Sequence, residues 1–176
     1  MTAAKDIALV SIFTALLLGG QVVLSGVGGV EIVTVLLLSF SFYFGIKRSI
    51  LAANAFSILR CFIFGFFVQV LILYLVYYNL FVLVFGLIGS KFKRTLTFKR
   101  HMFITVAAVI MTALFSVLDN IISPLYYGLN FEATKAYWVA SLPFAIPQIV
   151  CAFITVALLL PVLIKAYSVS YRNNKL

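Results

Sequence analysis

The chain has 176 residues, 65% of them hydrophobic and only 10% charged, with a mean hydropathy of +1.21; an ordinary soluble domain is roughly 45–50% apolar and 25% charged. A chain this short cannot hide so much apolar surface in one core, because small domains leave a large share of their surface exposed, so a water-soluble globule is excluded and lipid is the solvent. The 13 Lys and Arg against 4 acids give a net charge of +9, which in this composition is a topology signal and not a nucleic-acid footprint.

Spans of about 20 apolar residues are predicted at 7–25, 30–45, 49–66, 67–89, 102–127 and 138–164, a six-helix, all-α transmembrane bundle forming a single domain over 1–176. Before the first span stands Lys5, and Val23-Leu24-Ser25 at its end imitates a signal-peptide cleavage site. The stretch is long enough to cross and another span follows at once, so it reads as a span. It carries Ser11, Ala15 and Gly19 at four-residue spacing, with Ala4 and Ala8 opening a second small ridge. Small residues at every fourth position let another helix approach closely, within the protein or on a partner.

Gly26-Val27-Gly28-Gly29 leads into the second span but lacks the strand and helix context of a phosphate loop. Glu31 is placed at the outer start of that span, with Thr34 one turn inward. The third and fourth spans run together without a polar break and are divided at Gly65-Phe66-Phe67. His101 falls in the basic loop before the fifth span, whose outer end bears Asp119 and Asn120, and Tyr126 to Tyr137 is the one sizeable outer loop.

Lys and Arg in short loops favour the cytoplasm. Lys5, Lys47, Arg48, Lys91, Lys93, Arg94, Lys99, Arg100, Lys165, Arg172 and Lys175 fall on one face if six spans are counted, Lys135 falls on the other, and Arg60 lies inside a span. Both termini are therefore expected in the cytoplasm of a multi-pass membrane protein.

Ionisable groups inside the hydrocarbon are costly and default to functional hypotheses. Arg60 falls just outward of the midplane at about 1.5 Å per residue, and Asp119, Asn120, Glu31, Gln21, Gln69 and Gln148 come out in the same half. Polar groups from several helices at one depth suggest a cavity open to the outside. Arg60 and Asp119 read either as a structural ion pair or as its lining, and Glu31 either as a lining group or as solvated at the interface. Tyr74, Tyr77 and Tyr78 lie on the fourth span; Tyr126, Tyr127, Tyr137 and Trp138 form either an interfacial belt or a stacking surface for a ring-bearing ligand.

Cys61 and Cys151 sit in apolar runs without CxxC spacing and read as packing residues. One histidine, no HExxH, no paired carboxylates and no Walker motif leave no catalytic, metal or cofactor site to assign. An intramembrane enzyme using Asp119 or Glu31 and a stand-alone ion-coupled carrier remain alternatives, the second without the inverted repeat such carriers show.

The pattern resembles the substrate-binding S component of energy-coupling-factor (ECF) vitamin transporters. Size, six spans and internal termini match over nearly the whole chain. The Ser11, Ala15, Gly19 ridge resembles the family's Ala-xxx-Ala motif, with Ser at its first position. Gly29-Val30-Glu31-Ile32-Val33-Thr34 is similar to a Val-Glu-Leu-Val-Thr segment of one subgroup, without the Pro-Asn that precedes it there. Leu118-Asp119 and Trp138 to Phe144 resemble segments of its last two spans. The resemblance implies a high-affinity binding subunit working with a transmembrane T component and two cytoplasmic ATPases. Its ligand would be a vitamin-like compound, with a lean toward a cobalamin-like or other B-group molecule. Arg60, Asp119, Asn120, Glu31, Gln21, Gln148, Tyr74 and Trp138 are the candidate ligand contacts, and Ser11, Ala15 and Gly19 the partner face.

Overall fold

The computed structural model describes residues 3–173, with side chains from residue 3 to residue 169. Six helices follow in chain order: α1 (Ala3–Leu24), α2 (Val33–Phe44), α3 (Ile46–Phe64), α4 (Val68–Lys91), α5 (Phe98–Tyr126) and α6 (Phe131–Asn173). Short connections make neighbours antiparallel. Arg48 at the start of α3 meets Asp6 at the start of α1 at 2.9 Å, and the end of α4 meets the end of α2 where Gly89 lies on Phe42. One end of the bundle thus gathers the basic connections and is called the basic end; the other is the far end. Lys175 lies outside the described residues, and Arg172 is described only in its backbone.

Four helices, α1, α4, α5 and α6, are long and apolar enough to cross a membrane. Large apolar side chains such as Ile12, Phe62, Ile110 and Phe153 face outward around the bundle, as a lipid-facing surface requires and a water-facing one does not tolerate. The other two of the six expected spans, α2 and α3, are not among these four. α3 carries Lys47 and Arg48 in its first turn and Arg60 near its end. α2 has only 12 residues, about 18 Å at 1.5 Å per residue, well short of a hydrocarbon layer of about 30 Å.

That short helix is the centre of the molecule. Every residue from Val33 to Phe42 is buried, and α2 packs against all five other helices; a helix apolar on every side belongs inside a bundle. At the basic end its packing is backbone against backbone. A Cβ on Gly89 would lie 2.2 Å from the Phe42 carbonyl oxygen and 2.7 Å from its Cα, so only glycine permits this crossing. At the far end α2 stops while α3 and α4, with 19 and 24 residues, run on. The resulting recess is bordered by the irregular segment 25–32, where Gly29 adopts φ +77° and its Cα side lies against α6, a Cβ there falling 2.6 Å from that of Pro147. Non-helical backbone at such depth is tolerated where it is buried in protein or lines a cavity.

The division at Gly65-Phe66-Phe67 is where the sequence places it. The outer loop from Tyr126 to Tyr137 is not: α6 already begins at Phe131, and the Asn130 Oδ1 accepts the Ala133 N–H at 2.9 Å. Asn130 is an N-cap with Glu132 in the first turn beyond it, so the polarity that suggests a loop is that of a helix start. His101 is likewise not a loop residue but part of α5, its Nε2 lying 3.2 Å from the Val156 carbonyl oxygen of α6.

Candidate functional site

The recess above α2 holds a cavity of about 310 Å³ whose lining includes Gln21 of α1, Glu31, Arg60 of α3, Tyr74 of α4 and Gln148 of α6. Phe64 and Phe144 supply its aromatic walls. Five of the eight sequence-nominated contacts therefore converge in one place. A second cavity of about 300 Å³ adjoins it, sharing Phe144 and Gln148 and lined further by Ser116, Asp119, Tyr137 and Ser141. Asn120 and Trp138 line neither: the indole Nε1–H donates to the Asn120 carbonyl oxygen at 2.7 Å, clipping α6 to α5.

Glu31 is the one carboxylate in the lining of the first cavity. It is half-buried just ahead of α2, and its Oε1 accepts the Thr34 hydroxyl at 2.5 Å and the Gln148 amide at 3.4 Å. Its peptide is gripped by Cys151, whose Sγ accepts the Glu31 N–H at 3.4 Å and donates to the Glu31 carbonyl at 3.3 Å. Cys151 is thus more than apolar packing: it ties the irregular segment to α6. Both internal hydrogen bonds to the carboxylate fall on Oε1, and Oε2 receives none.

The Arg60–Asp119 ion pair considered from depth does not form. Among the described residues the ion pairs are Arg48 with Asp6 and Lys135 with Glu132. The Arg60 guanidinium lies 4.4 Å from the Tyr74 ring centre and 5.1 Å from that of Phe64, contacts of the cation–π kind that hold the side chain extended. Its Nε is buried without a hydrogen-bond partner. Asp119 instead accepts the Ser123 hydroxyl at 2.7 Å and the Tyr137 hydroxyl at 3.1 Å. The charges occupy adjoining cavities, which explains why equal depth misleads: depth fixes height along the bundle, not azimuth.

Gln21 donates through Nε2 to the Tyr74 hydroxyl oxygen at 3.3 Å, while its Oε1 is buried and unpartnered. Beneath this layer the floor is aromatic and closed, with Tyr74 against Tyr78 at 5.0 Å and Tyr77 against Phe115 at 4.9 Å between ring centres. Deeper still, the Asn79 amide donates to the Asn54 Oδ1 at 2.8 Å, while its own Oδ1 is buried without a partner. Gly29, Phe64, Phe144 and Cys151 are lining and supporting residues that the sequence does not nominate as contacts. A signal exists for Phe144 alone, which stands four residues before Gln148 and so shares its face of α6.

No group of three or more His, Cys, Asp and Glu side chains able to hold a metal ion occurs among the described residues. The nominated partner face is free within the chain: Ser11, Ala15 and Gly19 are all exposed along α1, and a Cβ on Gly19 would meet nothing within 4 Å. No family model, no curated protein and no solved structure matches this chain.

Proposed function

We propose that the chain is the substrate-binding S component of an ECF-type importer for a vitamin or related micronutrient. It crosses a bacterial cell membrane six times, the second crossing made by the short α2 together with the irregular segment ahead of it, with both termini and the connection before α5 cytoplasmic. It is not itself an enzyme. It captures its ligand from outside and relies on a transmembrane T component and two cytoplasmic ATPases for energy.

One observation carries the reading: polar groups from four helices and the 25–32 segment converge on a small recess at the end opposite the basic connections, with a buried donor and a buried acceptor unpartnered there. A site of about 300 Å³, walled by aromatics and set with a few convergent polar groups, has the dimensions and chemistry of a small-molecule pocket. Cytoplasmic placement of the basic end turns that recess outward, and the α1 ridge, exposed and made of small residues, suits close approach of a partner helix.

The test has two arms. Purified protein is screened for thermal stabilisation against a panel of B-group vitamins, a ligand at a hundred times its Kd being expected to stabilise by about 2.7 kcal/mol. Tagged protein is isolated in mild detergent and its partners identified; ATPase subunits copurifying in stoichiometric amount support the reading, and their absence from a stable, ligand-binding preparation contradicts it.

A further inference from the structure

The proposed binding reading leaves the ligand's chemistry open, and the arrangement of charge in the recess narrows it. Glu31 and Arg60 line the same cavity, yet they form no ion pair, since the ion pairs among the described residues lie elsewhere. Each is half-supported by the protein. Glu31 Oε1 is occupied by Thr34 and Gln148, whereas Oε2 has no donor. Arg60 rests on two aromatic rings, yet no acceptor reaches its guanidinium and its Nε is buried and orphaned.

A guanidinium has five N–H donors and no acceptor, and a half-buried charge that the protein satisfies only in part keeps donors or acceptors open for a charge-assisted hydrogen bond. Two such groups facing one cavity would relax onto each other if they could touch. They are held apart by their mounts, Glu31 by Thr34 and the Cys151 clamp on its peptide, Arg60 by stacking on Tyr74 and Phe64. The space between opposite, separated charges is complementary to a molecule carrying the inverse pair, and the flanking Phe64, Tyr74 and Phe144 rings are complementary to a flat body between its ends.

We infer that the recess selects a ring-bearing dipolar ligand, with a carboxylate or phosphate received by Arg60 and an ammonium or N–H-rich group received by Glu31 Oε2. The orphaned Gln21 Oε1 is a second acceptor for that N–H-rich end. A ligand with one charge satisfies one mount and leaves the other stranded, so discrimination arises from the unpaired group as much as from the pairing. Charge-assisted hydrogen bonds at both ends make the selection steep.

Full-length protein in nanodiscs is titrated calorimetrically with the meta and para isomers of aminomethylbenzoate, with 4-methylbenzoate and with 4-methylbenzylamine. At least one dipolar isomer should bind at least about tenfold more tightly than either singly charged probe, one tenfold step corresponding to about 1.4 kcal/mol. Glu31→Gln, which keeps an acceptor for Thr34, should erase the advantage over 4-methylbenzoate, and Arg60→Met the advantage over 4-methylbenzylamine. Arg60→Lys, retaining the charge, should restore part of the latter. A singly charged probe binding as tightly as both dipolar ones, an absence of dipolar binding at millimolar concentration, or a preference untouched by folded Glu31→Gln and Arg60→Met protein overturns the assignment. Any of these leaves the transporter reading to its own test, since copurification with ATPases does not depend on these probes.

Discussion

The two ends of α2 are built on opposite terms. At Phe42 the helix is pressed directly onto Gly89 of α4, side chains on both faces are buried and apolar, and the serines there satisfy themselves on the helix backbone, as Ser41 does on the Leu37 carbonyl at 2.6 Å. At Val33 the helix ends early, the chain turns irregular, and Glu31, Arg60 and Gln21 surround space, two of them with unpartnered buried atoms. One end maximises packing, which in lipid is the main source of helix association; the other holds polar groups away from their intramolecular partners. The close-packed half anchors the helix so that the open half keeps its shape.

The sharpest way to break this contrast is to attack the packed end. Gly89→Leu places a branched side chain where even a Cβ would overlap the Phe42 backbone, and neither helix can yield without moving the core. Loss of about 3 kcal/mol or more is expected, read as a collapse of the unfolding midpoint in detergent; a variant within about 0.5 kcal/mol of wild type would mean the crossing is looser than described. Gly29→Ala comes next. It combines a left-handed φ of +77° with a Cβ 2.6 Å from that of Pro147, costing about 1–3 kcal/mol, and should weaken ligand binding as well because the 25–32 segment borders the recess.

A smaller effect is expected from Tyr137→Phe. It removes the hydroxyl that donates to Asp119 at 3.1 Å while Ser123 still donates to the same carboxylate at 2.7 Å. A loss of about 0.5–1.5 kcal/mol, with ligand affinity changed less than twofold, would separate the Asp119 cavity from the Arg60 cavity; a large affinity loss would join them. The smallest effect on the isolated chain belongs to Ala15→Leu. That position is exposed, so stability should stay within about 0.5 kcal/mol and ligand binding should persist, while copurification of partner subunits is lost.

Much of this contrast is legible in the sequence and part of it is not. Apolar runs and the segregation of Lys and Arg give the number and alternation of helices, and the turn at Gly65 follows from splitting a stretch twice too long for one crossing. Polar residues at a common depth single out Gln21, Glu31, Arg60 and Gln148, and the aromatics of the fourth span add Tyr74; these five share a cavity, whereas Asp119, Asn120 and Gln69 of the same depth do not line it. What depth cannot supply is azimuth, so Arg60 and Asp119 read as a pair or as lining of one cavity, although α5 and α6 place Asp119 beside Tyr137. The shortness of α2 is hidden too. Val30 and Ile32 around Glu31 continue the apolar pattern, while the backbone there departs from the helix to meet Cys151, a tertiary contact that composition does not announce. Asn130 and Glu132 read as loop because capping residues and loop residues share the same polar alphabet.

Ligand binding in the recess beyond the end of α2 is the central proposal. Its most direct measurement is the equilibrium Kd of wild-type and Arg60→Met protein for whichever B-group vitamin stabilises the wild type most, taken on preparations whose unfolding midpoints have first been compared. Removing an orphaned cation from a recess should leave the fold standing, because it takes part in no ion pair among the described residues and its Nε has no hydrogen-bond partner to lose. Affinity should fall at least about tenfold, a loss of about 1.4 kcal/mol. A folded Arg60→Met protein that binds with the wild-type Kd would contradict the account.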